Sequence, residues 1–293
     1  MNNNSPSRTA ESAAAGRAAH FLHETPVIFE DPYALFLTSP LWRIIIKNRV
    51  LSRLIFTKQT GFLRSVGVQI LARSRYAEDL LLNAVKSGVT QYVMIGAGLD
   101  SFALRRSDLL KYLSVYELDH PASQKAKRQR LRKLGYPLPE NVEFIPIDCE
   151  QETVADALAA SSFSPNERTF FSCLGTTYYL THNTVLKTLR SIRACTVRGS
   201  EIVFDYGLPE RFLDRPNRKV WRTIERAGYH CGEPILSYFA PDELEQTLAD
   251  LGFDLREHLS PGDQKSRYFS RHDMTPLASY FAHALITQQE VFS

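Results

Sequence analysis

Three segments of this 293-residue chain end in residues suited to hold a nucleoside. Gln91-Tyr92-Val93-Met94-Ile95 runs into Gly96-Ala97-Gly98-Leu99-Asp100-Ser101, Ser114–Leu118 into Asp119, and Val142–Ile147 into Asp148 and Cys149. Gly96 and Gly98 let the backbone come close to a ligand, and a helix starting behind them offers unpaired N–H groups. Asp119 can accept hydrogen bonds from both hydroxyls of a ribose, with Glu117, two residues earlier on the same face, as its rival. Asp148 can accept from an adenine amino group, while the backbone N–H of Cys149 donates to a ring nitrogen. Any one of these acids alone is more simply explained as a helix cap or a loop-facing charge. The set describes a cradle for an adenosine-containing cofactor.

The glycine loop separates two cofactor classes. A hydride-transfer enzyme seats a pyrophosphate on a full glycine fingerprint, and the third position of that fingerprint is Ser101 here. No Tyr-x-x-x-Lys pair supports a nicotinamide-dependent oxidoreductase either. S-adenosylmethionine has no phosphate and needs close backbone approach together with a partner for its carboxylate. Arg73, just upstream of the helix expected before the first of these segments, can bind a carboxylate in bidentate fashion. The plainer reading is that Arg73 or Arg75 forms a surface ion pair with Glu78 or Asp79.

Elements that could position these residues alternate along the chain. A helix over 76–86 ends at Gly88 and precedes a short apolar strand, 91–95. Further strands are expected at 114–118, 142–147, 169–172 and 201–205, with later candidates at 253–259 and 267–270. Helices are expected at 121–133, 183–195, around 220–226, and at 242–251. Strands and helices alternating over this length predict an α/β fold with a mostly parallel sheet covered on both faces. In such sheets ligands bind beyond the carboxyl ends of the strands. Upstream, Ser5 and Pro6 could open an Ala-rich helix that continues to Leu22. From Pro32 to Ala77 there is no acidic residue, while Arg43, Lys47, Arg49, Arg53, Lys58 and Arg64 recur among apolar side chains at helical spacing. That stretch reads as a solvated face, a cap over an anionic substrate, or a membrane-surface helix.

Taken together, the segments SRTAESAAAGRAAH, QYVMIGAGLDSFALRR, VYELDHPASQKAKRQRL, FIPIDCE, FFSCLGTTYYLTHNTVLKTL and GEPILSYFAPDELEQTLADLGF resemble the leucine carboxyl methyltransferase type of class I S-adenosylmethionine-dependent methyltransferases. The nearer likeness is to the bacterial O-methyltransferase branch. The resemblance implies a Rossmann-like, seven-stranded, mostly parallel sheet over residues 76–293, an N-terminal helical cap over 1–75 and a lid insertion around 207–240. It also implies that Arg73, Gly96 and Gly98 hold the methionine end of S-adenosyl-L-methionine. Asp119 then takes the ribose, Asp148 and Cys149 take the adenine, and Tyr179 lies beside the methyl acceptor. This chain departs from the family pattern with Ser101-Phe102 after the glycine loop, Cys173, and Leu174.

Methyl transfer needs an acceptor atom held in line behind the methyl carbon, about 3–3.5 Å away, with water excluded. A carboxylate is already ionised and needs only orientation, whereas a hydroxyl needs a base. His182 is the nearest candidate base, and its simpler role is to start a helix. A small organic carboxylate or acidic hydroxyl is therefore the expected acceptor. A protein or RNA acceptor would draw on the basic 125–133 helix, which reads more simply as a solvated helix. The near balance of 35 basic and 32 acidic side chains gives no reason to expect nucleic acid. No apolar run approaches the ~20 residues of a bilayer span, so stable membrane insertion is not expected. The N-terminus lacks the pattern of a secretory signal, and the four cysteines have no metal-ligand spacing. A cytoplasmic enzyme with reduced thiols and no metal is expected.

Overall fold

The computed structural model describes residues 7–57, 62–272 and 274–287. It opens with α1 (Arg8–His23), α2 (Ala34–Leu37), α3 (Pro40–Lys47), α4 (Arg49–Ser52) and the long α5 (Phe62–Lys86). The alternating part begins with β1 (Gln91–Ile95), α6 (Phe102–Arg105), α7 (Ser107–Leu110), β2 (Ser114–Asp119) and α8 (Pro121–Leu134). Next come β3 (Val142–Pro146), α9 (Val154–Ala159), β4 (Thr169–Cys173), α10 (His182–Ala194) and β5 (Glu201–Gly207). The chain closes with α11 (Arg215–Cys231), α12 (Pro241–Asp250), β6 (Phe253–Leu259), α13 (Pro261–Tyr268) and β7 (Ser279–Ile286).

The seven strands form one sheet in the order β3-β2-β1-β4-β5-β7-β6. Every pairing from β3 to β5 is parallel, and β7 runs antiparallel to both β5 and β6. The strands β1, β4 and β5 are buried along their whole length, as strands covered on both faces must be. Side-chain alternation divides the core. Val93 and Ile95 pack with Val185, Leu189 and Ile192 of α10 on one face, whereas Tyr92 and Met94 pack with Leu71, Tyr76 and Leu81 of α5 on the other. The chain leaves β1 towards β2 and β3, then returns to the far side of β1 as β4. That reversal opens a crevice beyond the carboxyl ends of β1 and β4.

Several local expectations change. Ser5 and Pro6 lie outside the described residues; α1 is capped by Ser7, whose side chain accepts from Ala10 N–H. The helix expected from 76 begins at Phe62 and runs without a break past residue 75. The strand expected at 267–270 is instead the end of α13 and the turn after it. Ser260 and Asp263 form a reciprocal capping box with Pro261 at the first turn, so that segment starts as a helix. The seventh strand is Ser279–Ile286. The basic α8 is less solvated than its composition suggests, because Lys127 is buried against Glu117 and Arg130 bonds Glu11 and the Leu37 carbonyl. Within the basic stretch, Lys58 lies outside the described residues, and Leu41, Ile44 and Val50 face solvent. Among the described residues, no helix is long and apolar enough to cross a membrane.

Candidate active site

A cavity of about 430 Å³ occupies the crevice at the switch point, within the range typical of small-molecule sites. Its walls come from the start of α1, from α5, from the loops after β1, β2 and β4, and from the end of α11. Arg73, Gly96, Gly98, Asp119 and Tyr179 all line it, so the fold brings together residues spread over more than a hundred positions. Asp148 and Cys149 are not among its lining residues.

The loop after β1 depends on its glycines. Gly96 has φ +72°, and a Cβ there would fall 2.1 Å from Thr176 Oγ1 in the loop after β4. Gly98 has φ +52°, and its N–H donates to Asp119 Oδ2. The other oxygen of Asp119 accepts from His120 N–H at 2.6 Å. Burial raises the Asp119 pKa, opposed by these two backbone donors. A carboxylate offers about four lone-pair sites, so two remain for further donors. Glu117, the rival acid, is occupied elsewhere by Lys127.

At the end of β3, Asp148 Oδ1 accepts from Glu150 N–H at 3.1 Å, and Oδ2 accepts from Gln151 Nε2 at 3.3 Å. Cys149 packs against the core, and burial, then the charges of Asp119 and Asp148, push its thiol up to about 12. That thiol stays protonated at neutral pH.

Arg73 does not pair with Glu78 or Asp79. Asp79 takes Arg75, with Nε donating to Oδ1 at 2.9 Å, and Glu78 takes Arg105 and Arg106. Arg73 instead turns inward and donates from Nη1 to Asp205 Oδ2 at 3.1 Å. Burial opposes the Arg73 charge most strongly, but the charge of Asp205, its hydrogen bond and the nearby Tyr178 and Tyr179 together outweigh it and the pKa is raised. Asp205 is fully buried near the end of β5 and also accepts from Gly175 N–H at 2.5 Å and Tyr178 OH at 3.0 Å. Gly175, at φ +67°, makes room: a Cβ there would stand 2.3 Å from the Arg73 guanidinium. Sequence reasoning missed Asp205 and Gly175. The signal for Asp205 was present, since an acid inside an otherwise apolar central strand requires a buried partner.

Tyr179 ends the short helical turn Thr177–Tyr179 after β4, and burial pushes its hydroxyl up to about 12. His182 stacks on Phe239 at 4.7 Å and is not a lining residue. Two further polar groups in the walls, Gln69 of α5 and Glu233 just after α11, had no sequence signal.

The strand order, the glycine turn at the switch point and the acid ending β2 define a class I S-adenosylmethionine-dependent methyltransferase. The chain belongs to the leucine carboxyl methyltransferase family, whose model matches residues 10–193. It is 33% identical over 285 residues to YktD of Bacillus subtilis strain 168, named as a candidate S-adenosyl-L-methionine-dependent methyltransferase, covering 92% of this chain and 93% of that one. A Mycolicibacterium paratuberculosis protein with the same kind of name is 28% identical over 239 residues, covering 80% of this chain and 74% of its own. Two crystal structures share the fold at TM-score 0.59. One is a candidate methyltransferase from Thermobifida fusca (14% identity, covering 98% of this chain and 97% of that one), the other a DUF574 family protein from Streptomyces avermitilis (11% identity, 93% and 97%). The cofactor is S-adenosyl-L-methionine.

Proposed function

We propose that the protein is an O-methyltransferase that modifies a small organic acceptor at a carboxylate or an acidic hydroxyl. The observation that carries this reading is that Arg73, Gly96, Gly98, Asp119 and Tyr179 line one cavity. When bound, S-adenosylmethionine supplies a methyl group activated by its sulfonium. Arg73, held by Asp205 and given room by Gly175, binds the methionine carboxylate with its remaining N–H groups. Gly96 and Gly98 let the backbone approach the methionine portion. The open lone pairs of Asp119 accept from the ribose hydroxyls. Asp148 and the Cys149 N–H, one strand further out, receive the adenine. Tyr179 lies beside the acceptor and directs its oxygen. The helices of residues 1–75 act as a cap and the segment 207–240 as a lid, and together they exclude water.

Thermal unfolding with and without ligand tests the reading. S-adenosylhomocysteine at about a hundred times its Kd adds about 2.7 kcal/mol to stability, a rise of roughly 4–5 °C in a chain of this size, while NAD and NADP add nothing. Asp119→Ala removes most of that rise. A full rise in the variant rejects the ribose role, and a rise with NAD alone rejects the cofactor site as drawn.

A further inference from the structure

The cavity has a second chemical character besides the cofactor groups. Trp221, Ile224, Ala227, Ile235 and Leu277 give it an apolar wall built largely from α11 and the segment after it. Glu233 and Gln69 are two of the polar side chains that share the cavity with this wall. Glu233 is 6% exposed, and its Oε2 accepts from Thr9 N–H at 3.0 Å. Gln69 is 3% exposed, and among the described residues neither its amide oxygen nor its amide nitrogen has a hydrogen-bond partner. A buried primary amide with no partner is costly, and one that lines a cavity is positioned to bond what enters it.

We propose that Glu233 and Gln69 recognise the methyl acceptor, and that the acceptor is a neutral aromatic hydroxyl compound rather than a carboxylate. This rests on the methyltransferase reading of the cavity and narrows it. An apolar wall suits an aromatic skeleton. A buried carboxylate beside it repels an anionic acceptor but accepts a hydroxyl proton. The cations in the walls do not offset Glu233. Arg17 is held by Asp31 and the Leu99 carbonyl, Arg73 by Asp205, and Arg8 is exposed at the rim. In the transfer, the acceptor O–H bond breaks and its proton passes to a Glu233 oxygen. The O–CH₃ bond forms as the S–CH₃ bond breaks, and that electron pair stays on sulfur. Gln69 bonds a second polar group of the acceptor and fixes its angle of approach.

Calorimetry on enzyme saturated with S-adenosylhomocysteine tests this with two probes of matched shape, 2-naphthol and 2-naphthoate, at neutral pH. Naphthol should bind at least about tenfold more tightly than naphthoate, the discrimination expected for one unfavourable charge contact in a partly buried site. Glu233→Gln, which keeps an oxygen for Thr9 N–H, should erase or invert that ratio. Gln69→Leu should weaken binding of 2,7-dihydroxynaphthalene, which offers Gln69 a second hydroxyl, more than binding of 2-naphthol, without lowering the melting temperature, because the amide makes no hydrogen bond among the described residues. Neither variant should change the affinity for S-adenosylhomocysteine. Naphthoate binding as tightly as naphthol, a ratio that Glu233→Gln does not move, or no binding of either probe overturns the proposal and leaves the methyltransferase reading intact. Failure of S-adenosylhomocysteine to bind overturns both.

Discussion

Asp205 carries its charge out of water near the end of a central strand, and that is costly unless the charge is answered. Three donors answer it: the Gly175 N–H, the Tyr178 hydroxyl and the Arg73 guanidinium. The pair also orients Arg73, because a guanidinium fixed at one nitrogen presents its remaining donors in a known direction. Removing one partner of a buried pair leaves the other charge uncompensated. Asp205→Asn should therefore cost about 3–5 kcal/mol in urea unfolding and weaken S-adenosylhomocysteine binding, since Arg73 loses its anchor. Equal urea midpoints for variant and parent would show that the pair contributes nothing. Tyr178 shares the same oxygen of Asp205, so its hydroxyl helps hold the carboxylate that orients Arg73.

Elements position these residues through their ends more than their middles. Gly96 brings the loop after β1 against Thr176 of the loop after β4, which closes the floor of the cavity at the switch point. The helix α5 supplies Gln69 and Arg73, one turn apart, to the same wall. Outside the cavity walls, α13 is set by its capping box, in which Ser260 Oγ accepts from Asp263 N–H at 3.2 Å. Ser260→Ala should destabilise the protein by about 0.5–2 kcal/mol and leave S-adenosylhomocysteine affinity unchanged. A loss of affinity there would mean that α13 communicates with the cavity. The capping box also explains the misread strand at 267–270: a short segment with Tyr and Phe has β propensity, and the helix signal lies upstream of it.

At the scale of the molecule, the site is assembled from both ends of the chain. Thr9 at the start of α1 bonds Glu233, 224 residues away, across the mouth of the cavity. If the N-terminal helices and the segment after β5 cap the bound cofactor, S-adenosylhomocysteine should slow amide hydrogen exchange in residues 8–23 and 228–236 as well as in the glycine loop. Protection confined to the glycine loop would remove the capping role. The exposed apolar side chains of α3 and α4 stand outside this arrangement; from the basic stretch, the walls take Val66, Gln69, Ile70, Arg73 and Ser74.

The α/β class, the central strands, the glycine turn and the acid at the end of β2 were legible in the sequence, because each depends on local pattern: apolar runs, turn residues and strand-end carboxylates. The likeness of whole segments to one methyltransferase family was legible for the same reason. The inward turn of Arg73, its pairing with Asp205, the space left by Gly175 and the placing of Gln69, Thr9 and Glu233 around one cavity were decided only by the tertiary structure. Those contacts join residues far apart in the chain, and burial, which no single segment specifies, determines which charge finds which partner.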